Sequence, residues 1–303
     1  MCLPVVFLAV MSEARAGSRR EERTMNFLEK LLKAERQNRS LLCVGLDPEP
    51  ERLPDELRAL PMEKAVVRFC RTLIEATAPY VSAFKPNLAF FEVLGPPGMR
   101  ALQEIVRAVP THIPVIADAK RGDIGHTASR YAAAIFETYG CDAMTVNPYP
   151  GYDAVAPFLS YRERGVLLLC RTSNPGARDL QDLPVRGNDG QLRPLYEMVA
   201  RLVQSWNEAG NCGLVVGATS PRELGVVRAL CPTLPLLVPG IGAQGADLAA
   251  SVSCAVDAYG ERAIISVSRA VIYAGADADY AGAAARAARA FCEQINRARG
   301  FGA

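Results

Sequence analysis

From residue 41 onward, short apolar runs alternate with longer stretches whose apolar residues recur at helical spacing. The runs predict strands at Leu41–Leu46, Ser82–Pro86, Ile113–Asp118, Ala143–Val146, Val166–Cys170, Gly213–Gly217, Leu234–Val238 and Ala263–Val267. Helical patterns fall between them at Glu63–Thr77, Met99–Ala108, Ala128–Tyr139, Pro194–Ala209 and Pro221–Leu230. The last, Asp279–Ala298, is rich in Ala and Arg, with Asp279 in the place of an N-cap. Strands each followed by a helix predict a parallel sheet, and a count of eight favours the closed TIM (β/α)8 barrel as a single α/β domain. An open Rossmann sheet is the rival, but no G-x-G-x-x-G follows the first strand.

Two segments break the alternation. Residues 174–193, after the fifth strand, are rich in Pro, Gly, Asp and Asn and far exceed an ordinary strand-to-helix loop. Such a loop either edges an active site or is a tolerated surface insertion. Residues 1–24 hold a short apolar run, Leu3 to Val10, followed by a charged stretch. No positive residue precedes that run and it is too short to span a membrane. The expected organisation is therefore an extension over 1–24, disordered or the product of an upstream start codon, and a barrel over 25–303.

Composition narrows the function class. The chain has 303 residues, half of them hydrophobic and 22% charged, as in a soluble enzyme with a large core. A net charge of +2 gives no basic footprint for nucleic acid. Nine cysteines without a C-x-x-C pair fit reduced, buried thiols of a cytoplasmic protein better than a disulfide framework. Only His112 and His126 are available for a zinc site or a Ser-His-Asp triad.

The polar residues gather where barrel enzymes place their chemistry, at the carboxyl ends of the strands. Strand one ends in Gly45-Leu46-Asp47, strand two carries Lys85, strand four ends in Thr145-Val146-Asn147 and strand five runs into Arg171-Thr172-Ser173-Asn174. Strand three runs into Asp118-Ala119-Lys120-Arg121-Gly122-Asp123-Ile124. On an extended backbone Asp118 and Lys120 share a face, and Asp123 falls in the turn beyond. Two carboxylates bracketing an ammonium are costly as mere structure, and they hold a lysine protonated beside an anionic substrate. An exposed loop with ordinary salt bridges is the plainer reading of the same residues.

Strands seven and eight read as a phosphate site. Pro239-Gly240-Ile241-Gly242-Ala243-Gln244-Gly245 is a turn whose N–H groups can approach an anion closely, and Arg269 follows strand eight. Loops after these two strands hold phosphate in many barrels, and a guanidinium fork suits it.

Taken in order, these segments resemble the orotidine 5′-phosphate decarboxylase family, from about Asn26 to the C-terminus. The resemblance is carried by Gly45-Leu46-Asp47, by Phe84-Lys85-Pro86-Asn87 through Glu92, by D-x-K-x-x-D at Asp118, Lys120 and Asp123, and by the glycine turn with Gln244 and Arg269. Thr145–Asp153 and Arg171–Ala177, with the long loop, resemble its longer bacterial subgroup. It implies conversion of orotidine 5′-phosphate to UMP and CO2 in pyrimidine biosynthesis, without metal or cofactor. Lys120 is then the cation beside the carbanion and its proton donor, positioned by Asp118 and Asp123. Lys85 bridges the carboxylates and the ribose, Asp47 binds a ribose hydroxyl, Ser173 reads the pyrimidine, and Gln244 and Arg269 grip the phosphate. Asp123, Ile124 and Thr127 are implied to reach the neighbouring subunit's site in a homodimer. If a helical turn starts at Asp123, it shares a face with Thr127. Some eukaryotic relatives carry a fused phosphoribosyltransferase; the segment before Met25 is too short for one, so a single activity is expected.

D-x-K-x-x-D is shared with metal-dependent sugar-phosphate decarboxylases and synthases of the same superfamily, the nearest rival. That reading requires a further acidic metal ligand and no pyrimidine-reading serine. A barrel that binds a nucleotide without catalysis is a second rival; it would tolerate losing Lys120 or an aspartate, and the chain keeps all of them.

Overall fold

The computed structural model describes residues 25–241, 247–275 and 277–301. Eight parallel strands form its centre: β1 (Leu42–Leu46), β2 (Ala83–Pro86), β3 (Ile116–Arg121), β4 (Ala143–Val146), β5 (Gly165–Arg171), β6 (Cys212–Val216), β7 (Leu236–Pro239) and β8 (Ala263–Val267). They pair in the order β2-β1-β8-β7-β6-β5-β4-β3. Two parallel bridges, Phe84 to Val115 and Asn87 to Asp118, join β2 to β3 and close the ring. The fold is the expected TIM barrel.

Alternation along each strand builds two apolar layers. One strand face, including Leu42, Val44, Phe84, Ala117, Met144, Leu168, Val216 and Ile265, meets the surrounding helices in the main core. The other supplies one residue per strand to a separate buried cluster inside the barrel: Cys43, Ala83, Ile116, Ala143, Leu167, Val215, Leu237 and Ile264. The helix Phe27–Gln37 seals the amino-terminal mouth. Asn26 and Glu29 cap it reciprocally, with the Glu29 N–H donating to Asn26 Oδ1 at 2.9 Å and the Asn26 N–H to Glu29 Oε2 at 3.1 Å. Its Phe27 and Leu31 join the inner cluster, and a Cβ on Gly165 would overlap the Phe27 ring. Lys30 Nζ ties this plug to Asp142 at 2.8 Å. The barrel is thus dry and closed below, which leaves the carboxyl end for polar groups.

The structure adjusts several sequence expectations. β3 begins at Ile116 rather than Ile113, because Pro114 has no N–H to donate, and it extends through Lys120 to Arg121. The helix after it starts at Gly125, not Ala128, and its last turn, Ala134–Thr138, is π-helical. Asp123 lies outside this helix, so it and Thr127 do not share a helical face. Asp279 occupies the N-cap position of the helix Tyr280–Ala298, but its carboxylate pairs with Arg286 at 2.7 Å and caps nothing. The helix expected over 194–209 spans Leu195–Trp206. Residues 174–193 are not structureless: a short 3₁₀ turn, Pro175–Asp179, leads into an antiparallel hairpin, Pro184–Arg186 with Leu192–Pro194. Residues 1–24 lie outside the described residues.

Beneath β8, one charged group is out of place. Glu35 is 1% exposed; its Oε2 accepts the Arg262 N–H at 3.2 Å and its Oε1 has no partner among the described residues. Burial pushes this carboxyl up to about 8, with the Arg262 N–H opposing and Glu261 reinforcing. Because the folded value lies above the unfolded one, the carboxyl costs nothing at pH 4 and stability falls as pH rises through 8. Glu35→Gln keeps an acceptor for Arg262 and removes the charge. Its melting temperature should match the wild type near pH 4 and exceed it by roughly 9 °C at pH 8.5, at about 2 °C per kcal/mol for a domain of this size. A difference that does not grow with pH overturns this assignment.

Candidate active site

The polar layer starts where the apolar one ends. Two residues beyond the inner cluster, the same strand faces carry Gly45, Lys85, Asp118, Thr145, Pro239 and Ser266, and the next step up carries Asp47, Asn87, Lys120 and Ser268. Asp47, Lys85, Asn87, Asp118, Pro239, Gly240, Ile241, Ser266, Ser268 and Arg269 line one cavity of about 200 Å³. Gly45 is required here, since a Cβ would overlap the Ser268 hydroxyl. Gly240, at φ +104°, turns the chain sharply out of β7.

From the cavity wall to its rim, charges alternate. Lys85, 4% exposed, places Nζ 3.0 Å from Asp118 Oδ2, and Lys120 Nζ stands 2.5 Å from Asp118 Oδ1. The Thr145 hydroxyl donates to that same Oδ1 at 3.0 Å. Burial disfavours the Asp118 anion, but the Lys85 and Lys120 ammoniums outweigh it and hold the carboxyl well below the usual carboxylate range. Burial likewise opposes the Lys85 ammonium, and Asp118 and Asp47 outweigh it, raising that group above an ordinary lysine. The depressed carboxyl keeps its contribution above about pH 4, and the raised ammonium keeps its own below about pH 10, so the pair is intact across the neutral range. Asp47 Oδ1 is buried without a partner among the described residues at the other end of this line, an acceptor available to a ligand hydroxyl.

Lys120 reaches Asp118 through an irregular backbone. Its φ is +46°, a left-handed conformation costing a non-glycine residue roughly 1–3 kcal/mol. The β3–β4 register shifts across this point, between Ala117 and Arg121. Lys120 therefore stands at the rim, with half its side chain exposed.

The remaining expected residues separate into groups. Arg269, the first residue of the short helix after β8, lines the cavity with Ser268 and Ser266. Ser173 lines a separate cavity of about 500 Å³ with Arg171, Thr172, Asn174, Pro175, Arg178, Thr219 and Ser220. The long insertion braces that segment: Gln181 accepts the Thr172 N–H at 2.8 Å, and Asp182 pairs with the buried Arg171 at 3.1 Å. Gln244, with the rest of the turn 242–246, lies outside the described residues. Asp123 does not bracket Lys120 within its own chain: its Oδ1 accepts the Ile124 N–H at 2.7 Å, so the bracketing group of the single chain is Lys85 on Asp118. Ile124 is 61% exposed and Thr127 is exposed, both away from the cavity lining. Asn87, Thr145, Ser266 and Ser268 were not singled out as site residues, although each is a polar residue on the inward period of an apolar strand. Among the described residues no three His, Cys, Asp or Glu side chains gather as a metal site. No helix there is long and apolar enough to cross a membrane.

A carboxylate between two ammoniums at a barrel's carboxyl end, sharing its cavity with an arginine just after β8, can hold a phosphorylated anion and stabilise negative charge formed next to Lys120. The family model for the orotidine 5′-phosphate decarboxylase / HUMPS family matches residues 40–285. The chain belongs to this family. It is 51% identical over 277 residues to the orotidine 5′-phosphate decarboxylase of Aromatoleum aromaticum, covering 91% of this chain and all of that one. Among solved structures, Leishmania donovani OMP decarboxylase superposes with a TM-score of 0.79 at 44% identity, covering 92% of this chain and 100% of that one. Leishmania donovani UMP synthase does so at 0.81 and 45%, covering 91% of this chain and 57% of that longer one. The family makes the chain a carboxy-lyase, and D-x-K-x-x-D falls inside the matched span.

The buried pair gives a direct stability test. Asp118→Asn leaves the Lys85 ammonium buried without its counter-charge and should cost about 3–5 kcal/mol in urea unfolding at fixed protein concentration. Lys120→Ala removes a half-exposed group and should cost under about 1 kcal/mol. Equal costs for the two variants would contradict this division of burial.

Proposed function

We propose that the chain converts orotidine 5′-phosphate to UMP and CO2 without metal or cofactor, using the line Asp47, Lys85, Asp118 and Lys120. The observation that carries this reading is Asp118 held ionised between two ammoniums at the wall of a closed-bottom cavity. Breakage of the C6–carboxylate bond releases CO2 and leaves an electron pair on C6. The Lys120 ammonium offsets that charge as it forms and then transfers its proton to C6, giving UMP; solvent reprotonates the amine at the exposed rim. Asp118 keeps Lys120 aimed and charged, and Lys85 neutralises Asp118 from below. Asp47 accepts a ribose hydroxyl, Ser173 reads the pyrimidine, and Arg269 with Gln244 takes the 5′-phosphate. Binding energy from that remote phosphate helps close and dehydrate the site.

The same reading assigns a homodimer. Ile124 and Thr127 are exposed beside Asp123, which has no ion-pair partner among the described residues. Offered to a second subunit's site, Asp123 becomes the second carboxylate on Lys120, and a two-fold axis repeats the exchange. The pathway and the reduced thiols fit a cytoplasmic enzyme; the eight described cysteines are all free, and all but Cys254 are buried. Nothing in the near-neutral net charge calls for nucleic acid.

Purified protein should abolish the orotate absorbance of orotidine 5′-phosphate, and dialysis against EDTA should leave the rate unchanged. A chromophore that persists overturns the assignment; a rate lost to EDTA and restored by magnesium returns the metal-dependent reading. Lys120→Ala should lose more than about a hundredfold in kcat while keeping most of its affinity for UMP.

Subunit sharing has its own test. Lys120→Ala and Asp123→Ala homodimers should each be nearly inactive. Unfolded together and refolded, they form heterodimers with one doubly mutated site and one intact site. With random pairing about half the dimers are mixed, so roughly a quarter of wild-type activity returns. No recovery, with heterodimers confirmed by native mass spectrometry, rules out the shared site.

A further inference from the structure

We infer that Thr145 is a positioning residue for the reaction, setting through its hydroxyl both the backbone of Lys120 and the carboxylate of Asp118. The inference rests on the reading that these two residues carry the decarboxylation.

The β3–β4 ladder passes from Ala117 opposite Met144 to Arg121 opposite Val146. Asp118, Ala119 and Lys120 therefore face a single residue of β4, Thr145. Two surplus residues cannot continue a regular ladder, and the Lys120 N–H is not left unpaired: it donates to Thr145 Oγ1 at 2.9 Å. The hydroxyl then donates its own proton to Asp118 Oδ1 at 3.0 Å, the oxygen that also takes Lys120 Nζ at 2.5 Å. A closed ring results, running from the Lys120 backbone through the hydroxyl and the Asp118 carboxylate to the Lys120 ammonium. It holds Lys120 at φ +46°.

The position demands one atom that accepts and donates on a short stem. Only a hydroxyl supplies both, and threonine's branched Cβ, buried at 1% exposure, fixes where it points. Thr145 does not line the substrate cavity, so its effect on the reaction passes through Lys120 and Asp118.

The competing role is plain packing of a buried strand residue, and shape and hydroxyl can be separated. Thr145→Val keeps the shape and removes the hydroxyl; Thr145→Ser keeps the hydroxyl and removes a methyl. Steady-state kinetics should show Val reduced roughly 10–100-fold in kcat with KM changed little, since the phosphate and ribose contacts are untouched. Ser should recover kcat to within a few-fold of wild type. Circular dichroism and UMP binding report that each variant is folded, and Thr145→Ala takes the place of Val should Val not yield folded protein. Val at wild-type kcat, Ser as impaired as Val, or a loss confined to KM each overturns the inference. Lys120→Ala is assayed beside them: if it is inactive while Val is fully active, only the role of Thr145 falls, and if it turns over, the catalytic reading falls with it.

Discussion

A buried ammonium and a buried carboxylate in contact are the constraint around which this barrel is arranged. Lys85 cannot remain charged at 4% exposure without Asp118, and Asp118 cannot remain ionised without Lys85 and Lys120. Satisfying the pair fixes much of what surrounds it. β2 and β3 must lie side by side at their carboxyl ends, which the Asn87–Asp118 bridge achieves at the seam where the barrel closes. Thr145 must stand opposite with a hydroxyl. The floor must be dry so that the attraction is little screened, and the inner apolar cluster under the Phe27–Gln37 helix supplies that floor. Such a pair is weak evidence of stability gained, since an apolar substitute of the same volume often does as well. Its retention points to the charge arrangement itself.

Much of this could be read from strand periodicity. Every expected strand forms within three residues of its expected start, because a strand buried on both faces reads as an unbroken apolar run. A period of two from one inward residue per strand leads from the floor to Lys85, Asp118 and Lys120. The same period reaches Asn87, Thr145, Ser266 and Ser268, whose residue types carry no signal of their own, because a lone Ser, Thr or Asn near a strand end is also an ordinary turn residue. Their signal was the inward period, not the residue type.

What the period could not show were contacts set by tertiary geometry. The motif looked like a lysine bracketed by Asp118 and Asp123; within the chain it is an aspartate bracketed by Lys85 and Lys120, and Lys85 lies 33 residues earlier. The left-handed Lys120 depends on a hydroxyl from β4, which no local propensity records. The insertion at 174–193 read as loop because its hairpin strands are three residues each. Its contacts with the end of β5, Gln181 and Asp182 bracing the segment that carries Ser173, are side-chain contacts to Thr172 and Arg171. In each case local sequence describes the parts and the fold decides the pairing.

The geometry also bears on how a cofactor-free decarboxylation can be served. A carbanion at C6 has no electron sink, so the protein must hold opposing charge in place before the bond breaks. A mobile lysine would pay reorganisation during the reaction. Lys120, the proton donor in the proposed reaction, is restrained twice, by its ammonium on Asp118 and by its own N–H on Thr145, while half its side chain is exposed, as the proposed reprotonation by solvent requires. Asp118 is restrained by three donors from three strands: Lys85 on β2, Lys120 on β3 and Thr145 on β4. Rotating that carboxylate requires breaking contacts to all three, and the strands that carry them are locked into a barrel with a filled floor. Rigidity at the proposed reacting centre thus follows from the closure of the sheet, and the backbone strain at Lys120 is sustained by the same closure.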